Sequence, residues 1–262
     1  MSKATIRLIR LAVVAGLLAC AGPAPAQPAG PSEQELKQAN NPLANMKAFN
    51  LQNYYVPKLD GLGEATANTF WLRGVAPVGR VLVRASLPLS TVPSGASMTS
   101  GLGDFNIFGA YLIESTAQSS FGVGPLLVAP TASDDALGTG KWQAGAAAVV
   151  FKMPSARMQY GALLTWQASI AGDEERRDTS VFAAQPFLIF QLGGGTYLRS
   201  APLMAFDLRS GDYNVPFGLG IGKVLKIDQT VYNIFLEPQF TILHEGVGQP
   251  LLQVFTGLNL QF

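Results

Sequence analysis

His244 is the only histidine, so imidazole acid–base or nucleophilic chemistry has a single candidate. It sits in Leu243-His244-Glu245-Gly246, with no nucleophile placed beside it in the chain. Such pairs are set by geometry and not by sequence, so a Ser–His hydrolase is kept as a third reading; it needs a hydroxyl and a carboxyl or amide within reach of His244. Gly218, Gly220 and Gly222 form a Gly-x-Gly-x-Gly string, but no strand–turn–helix context makes it a dinucleotide fingerprint. At period two the glycines share one strand face, where they would clear room inside a narrow barrel. Asp134, Asp135, Asp173, Glu174, Glu175 and Asp178 are rich in oxygen yet lack the ordered spacing of a calcium loop; Arg176 and Arg177 partly balance them. No catalytic residue, metal ligand or cofactor site is therefore assigned. Five other residues carry more weight: Arg73, Arg84, Arg199, Glu237 and Gln239. Each falls opposite most of the apolar residues of its segment. There it either pairs with a partner across an interior or lines a path through one.

The elements that would position these side chains are strands. From about residue 44 the chain is a series of short segments rich in β-branched and aromatic residues, punctuated by Gly, Pro, Ser and Asp. The spacing predicts strands over 44–56, 67–78, 80–92, 103–114, 119–131, 141–153, 158–171, 180–192, 194–209, 213–227, 230–244 and 250–262. Alternation is clear in the eleventh, where Tyr232, Ile234, Leu236, Phe240 and Ile242 oppose Asn233, Glu237, Gln239 and Thr241. The fifth, from Ser119, is apolar on both faces. Short connections at Gly79, 115–118, 154–157, Gly193 and 228–229 alternate with long polar ones at 57–66, 93–102, 132–140, 172–179 and 245–249, with one weak place at 210–212. Short periplasmic turns, longer outer loops and an even strand count describe a transmembrane antiparallel up-and-down β-barrel of about 12 strands. Lipid-facing arginine at mid-membrane costs roughly 2–4 kcal/mol, so the five polar residues are expected to point into the lumen.

Composition agrees. Charged residues are 13% of the chain, about half the usual share. No later stretch approaches the roughly 18 apolar residues of a membrane helix. Lys3, Arg7 and Arg10, the apolar run from Leu11 to Ala19 and Ala24-Pro25-Ala26 have the layout of a signal peptide over 1–26. A rival reading lipidates Cys20, the only cysteine. The signal holds three of 18 bases and none of 17 acids, so 15 bases face 17 acids in the mature chain. That balance argues against nucleic-acid binding. Residues 27–43 are read as a periplasmic N-terminal tail in which Ser32 and Glu35 are spaced as a capping box. The expected location is the outer membrane of a Gram-negative bacterium. Expected partners are membrane lipid and lipopolysaccharide, and the barrel-assembly machinery through the last strand ending at Phe262.

Three pieces also resemble a bacterial family: Gly101-Leu102-Gly103-Asp104, the run from Pro130 through Ser133-Asp134-Asp135 and Gly138-Thr139-Gly140-Lys141-Trp142 to Gln143, and Glu237-Pro238-Gln239. The family is named for the meta-pathway of phenol degradation, and its members are often labelled "transporter" or "neuromedin U". The resemblance spans Asn41 to Phe262 and implies an outer-membrane barrel linked to uptake of small aromatic or apolar solutes. The alternatives are a sealed structural barrel that meets lipopolysaccharide or a partner through its outer loops, and a soluble barrel with its apolar faces turned inward around a lipophilic ligand.

Overall fold

A computed structural model describes residues 31–44, 46–116 and 118–262; the expected signal peptide over 1–26 and Cys20 lie outside them. One antiparallel sheet is built from β1 (Ala48–Leu59), β2 (Ala67–Val78), β3 (Val81–Ser94), β4 (Ser97–Leu102), β5 (Phe105–Ser115), β6 (Ser119–Ala129), β7 (Lys141–Ser155) and β8 (Met158–Gly172). It continues through β9 (Ser180–Gly193), β10 (Thr196–Ser200), β11 (Met204–Asp207), β12 (Tyr213–Gly218), β13 (Gly220–Ile227), β14 (Thr230–Glu245) and β15 (Pro250–Gln261). β1 pairs with β15 from Ala48 opposite Gln261 to Leu59 opposite Pro250, which closes the sheet. Closure satisfies the wall's backbone groups internally, as a lipid environment demands.

Three traverses are broken in two, so the fifteen segments make twelve passes. β10 and β11 are separated around Pro202, which has no N–H for a ladder. β12 and β13 part at Leu219, whose N–H reaches Pro238 O at 3.3 Å while Pro238 has no N–H to return. β4 and β5 part at Gly103-Asp104. The short turns share one end of the barrel and the longer connections the other. One expected loop is different. Residues 93–102 extend the wall as a hairpin, with Leu89 opposite Leu102 and Ser94 opposite Ser97 around Gly95. Pro93 reads as a breaker, but β4 pairs only with β3, and a sheet edge tolerates a missing donor.

The sidedness is that of a membrane barrel. Tyr160, Leu164, Trp166, Ile234, Leu236 and Phe240 stand exposed on the outer face. Gln143, Gln159, Asn233, Glu237 and Gln239 are buried on the inner one. This inverts a soluble protein, so a soluble barrel with inward apolar faces is ruled out.

Residues before β1 pack inside the barrel at its short-turn end. α1 (Glu33–Ala39) carries the capping box: Glu35 N donates to Ser32 Oγ at 3.3 Å, and Ser32 N donates to Glu35 Oε2 at 2.7 Å. Ala39 is buried with Ile189, Tyr197, Val224 and Val231. Leu43 is buried with Leu82, Phe108, Ala110 and Leu126, on a different part of the wall. The segment thus crosses the lumen. Asn233 pins it by donating to Ala39 O and Asn40 Oδ1, both at 2.9 Å. This contact explains β6, whose inner Leu126 and Val128 meet the Leu43 cluster while Leu127 faces outward.

Lys226 clips α1 by donating to Glu35 Oε1 at 2.6 Å. That bond first, and the bonds from Ser32 next, lower the Glu35 carboxyl to about 2. A depressed carboxyl contributes stability above its ordinary value of 4.5, and the contribution is lost as pH falls towards 2. Both side chains are partly solvated, so the clip is worth at most about 1 kcal/mol. A spin label at residue 31 is therefore expected to gain mobility between pH 4.5 and 2 while the barrel stays folded. Unchanged mobility over that window would show that the clip does not hold α1.

Candidate functional site

The three-glycine string opens a route between strands that are not neighbours. β13 lies between β10 and β14, and Arg199 of β10 pairs in register with Gly220. A Cβ at Gly218 would sit 2.4 Å from Glu237 Oε1, and one at Gly222 would sit 2.2 Å from Tyr197 Cζ. With both absent, side chains reach over the intervening strand. Tyr197 OH donates to Asn233 Oδ1. Arg199 Nε donates to Glu237 Oε2 at 2.7 Å. Glu237 Oε1 accepts from Ala201 N and Gln239 Nε2, each at 2.8 Å, and Gln253 Nε2 donates to Gln239 Oε1 at 2.7 Å. Glu237 and Gln239 are 0% exposed. They brace the wall.

Aromatic rings continue this network towards the lumen. The Arg199 guanidinium lies 3.6 Å from the Phe235 ring centre. Phe235 meets Phe255 edge-on, and Phe255 stacks on Tyr54 at 4.2 Å. Gln185 Nε2 then donates to Tyr54 OH at 3.4 Å and to Ala201 O at 3.1 Å. β1 and β9 stand almost opposite each other around the ring, so the Gln185–Tyr54 contact spans the lumen and constricts it.

Between this constriction and the N-terminal segment lies a cavity of about 170 Å³. Its floor is Ala39, Asn40, Asn41, Pro42, Ala44 and Met46. Its walls include Asn50, Gln52, Arg73, Arg84, Gln185 and Arg199, with no Asp or Glu among the described lining residues. Of the five polar residues singled out in sequence, the three arginines border this cavity and the Glu237–Gln239 pair stands behind it. Arg73 donates to Gln52 Oε1 and lies over Trp71. Arg84 lies over Phe108, with its ring centre at 4.4 Å. Tyr54, Gln185 and Asn233 were not singled out as site residues. The available signal was a lone amide in an apolar stretch, as in Phe182-Ala183-Ala184-Gln185-Pro186-Phe187.

The outer loops are tied down. Asp104 accepts from Ala132 N at 3.2 Å, Thr139 N at 2.8 Å and Thr139 Oγ1 at 2.9 Å. Leu102 N donates to Ser133 Oγ at 3.0 Å. The Gly-Leu-Gly-Asp piece and the run from Pro130 are thus one latch, joined in space. Arg176 pairs with Asp135 at 3.2 Å, Lys141 with Asp178 at 3.2 Å and Arg177 with Asp207 at 2.9 Å. Among the described residues no His, Cys, Asp and Glu cluster is placed to hold a metal. His244 lies opposite Asn214 near the loop end of β14, and its Nδ1 has no hydrogen-bond partner.

A closed twelve-pass barrel with an apolar exterior and a polar, constricted interior is an outer-membrane-type β-barrel. It is similar to a solved outer-membrane channel from Pseudomonas putida F1, at a TM-score of 0.61 and 14% identity over 85% of this chain and 97% of that one. The solved NanC porin is also similar, at a TM-score of 0.53 and 10% identity over 82% of this chain and 98% of that one. Identities this low express a shared fold. No family model and no curated protein matches the sequence.

Proposed function

We propose that the protein is a passive channel for small solutes in the outer membrane of a Gram-negative bacterium. The observation that carries this reading is the cavity between the Gln185–Tyr54 contact and the N-terminal segment. It is a chamber of mixed polar and apolar lining inside a lipid-facing barrel, of a size for one small molecule at a time. Twelve strands give a lumen between the filled eight-stranded and the open sixteen-stranded barrels, so a narrow path is the physical expectation. The resemblance to the phenol meta-pathway family favours small aromatic solutes. Tyr54, Phe235 and Phe255 supply ring surfaces beside the chamber, in keeping with that preference. Uptake is then selective diffusion, with Arg73, Arg84 and Arg199 setting which solutes dwell.

A sealed barrel is the second reading, favoured by the segment that crosses the lumen. Liposomes holding the refolded mature protein separate the two. The channel reading expects faster influx of single-ring aromatics than of sugars of similar size. Influx of both classes no faster than into empty liposomes, with the barrel folded, supports the sealed reading.

A further inference from the structure

We infer that Arg73 and Arg84 form a binding site for the carboxylate of a small aromatic acid; the inference rests on the channel reading only for its route of access. Arg73 stands opposite Ser86, and Val75 stands opposite Arg84. The two arginines are therefore diagonal neighbours on the inner face of β2 and β3, with Cα atoms about 7–8 Å apart. Both border the same cavity.

Among the described residues no carboxylate is paired with either of them. Among the described lining residues there are three arginines and no acid, and the Glu237 carboxylate behind the wall is engaged by Arg199. Nε of Arg73 and Nε of Arg84 are buried without an acceptor, and so is the hydroxyl of Ser86 beside them. Buried guanidinium groups normally meet an anion, because an unmatched charge in a low-dielectric interior is costly. One flat face of each is already used, on Trp71 for Arg73 and on Phe108 for Arg84. Stacking leaves the in-plane N–H groups to hydrogen-bond, and apart from the Arg73 Nη1 that Gln52 takes, those groups suit the two oxygens of a carboxylate.

The rest of the chamber selects the body of the ligand. Val75, Leu163, Phe187 and Phe255 give it apolar walls. An engineered protein cavity of about 150 Å³ holds one benzene ring. At about 170 Å³ this chamber has room for one ring. A hydrated inorganic anion leaves those walls unused, whereas an aromatic acid uses both surfaces.

The test titrates the refolded mature barrel in detergent micelles with benzoate, benzyl alcohol and inorganic phosphate. Calorimetry and tryptophan emission are read together, because Trp71 stacks on Arg73. Saturable benzoate binding is expected, with no binding of benzyl alcohol over the same range and no displacement by equimolar phosphate. Arg84→Gln should weaken benzoate roughly tenfold or more, the scale of a lost charge-assisted pair. Arg84→Lys should fall between, retaining the charge without the fork. Circular dichroism checks that each variant folds. Equal binding of benzoate and benzyl alcohol, equal competition by phosphate, or an unchanged affinity in folded Arg84→Gln overturns the site. Solute influx into liposomes separates this failure from that of the channel. Benzoate binding without influx keeps the site and removes the channel, while influx without benzoate binding does the reverse.

Discussion

Glu237→Ala is expected to destabilise the barrel by about 3–5 kcal/mol in urea unfolding from lipid vesicles. The carboxylate is fully buried and holds three donors: Arg199 Nε, Ala201 N and Gln239 Nε2. Truncation leaves the Arg199 charge, itself only 11% exposed, in the wall without its partner. It also orphans the Ala201 amide beside Pro202, where the ladder is already interrupted. Glu237→Gln keeps acceptor oxygen and should lose less. The double variant Arg199→Met with Glu237→Leu removes both charges together and should recover most of the loss, since a buried pair replaced by apolar groups is often neutral. A Glu237→Ala effect within about 0.5 kcal/mol, the range of an unremarkable surface change, would mean that the network does not brace the wall.

Leu43→Asp is expected to expel the N-terminal segment and raise the ion current through single barrels several-fold. Leu43 is buried in an apolar cluster with Leu82, Phe108, Ala110 and Leu126. A fully buried leucine contributes roughly 1.5–3 kcal/mol, and a carboxylate in its place adds a desolvation penalty of several kcal/mol. The other anchors include the packing of Ala39, the bonds from Asn233 and Gln261, and the partly solvated Lys226 clip, none of which offsets a carboxylate desolvated at position 43. The segment leaves and the wall stays, because the closing β1–β15 ladder begins at Ala48. Residues 31–44 should then become sensitive to protease with little change in barrel melting. An unchanged current with the segment still protected would contradict its role as an obstruction.

Much of the wall was legible because a membrane barrel writes its sidedness at period two. The face carrying Ile234, Leu236 and Phe240 points outward, as alternation required, and the breaks at Gly and Asp mark the turns. What alternation misses has physical causes. β4 reads as a loop because Pro93, Ser94 and Gly95 are breakers, and nothing in the pattern shows that an edge hairpin tolerates them. The first strand begins at Ala48 and not at 44, since Leu43 and Ala44 are apolar for a different reason: they are buried inside the lumen. β6 carried the clue, because a strand apolar on both faces in a polar-lumen barrel needs an apolar object inside. The candidate site was legible in part. Charge within a predicted strand is conspicuous, which brought out Arg73, Arg84, Arg199 and Glu237. Which arginine has a carboxylate depends on a reach across β13 that only the spacing of Gly218, Gly220 and Gly222 hints at. The contact between Tyr54 and Gln185 joins strands on opposite sides of the ring, and no local pattern records it.

Single-barrel current across a planar lipid bilayer tests the channel reading most directly. The mature protein is predicted to give discrete, small conductance steps, enlarged in Leu43→Asp. Silence from both proteins, with folded insertion shown independently, would contradict a conducting lumen and leave a sealed barrel that acts through its outer loops.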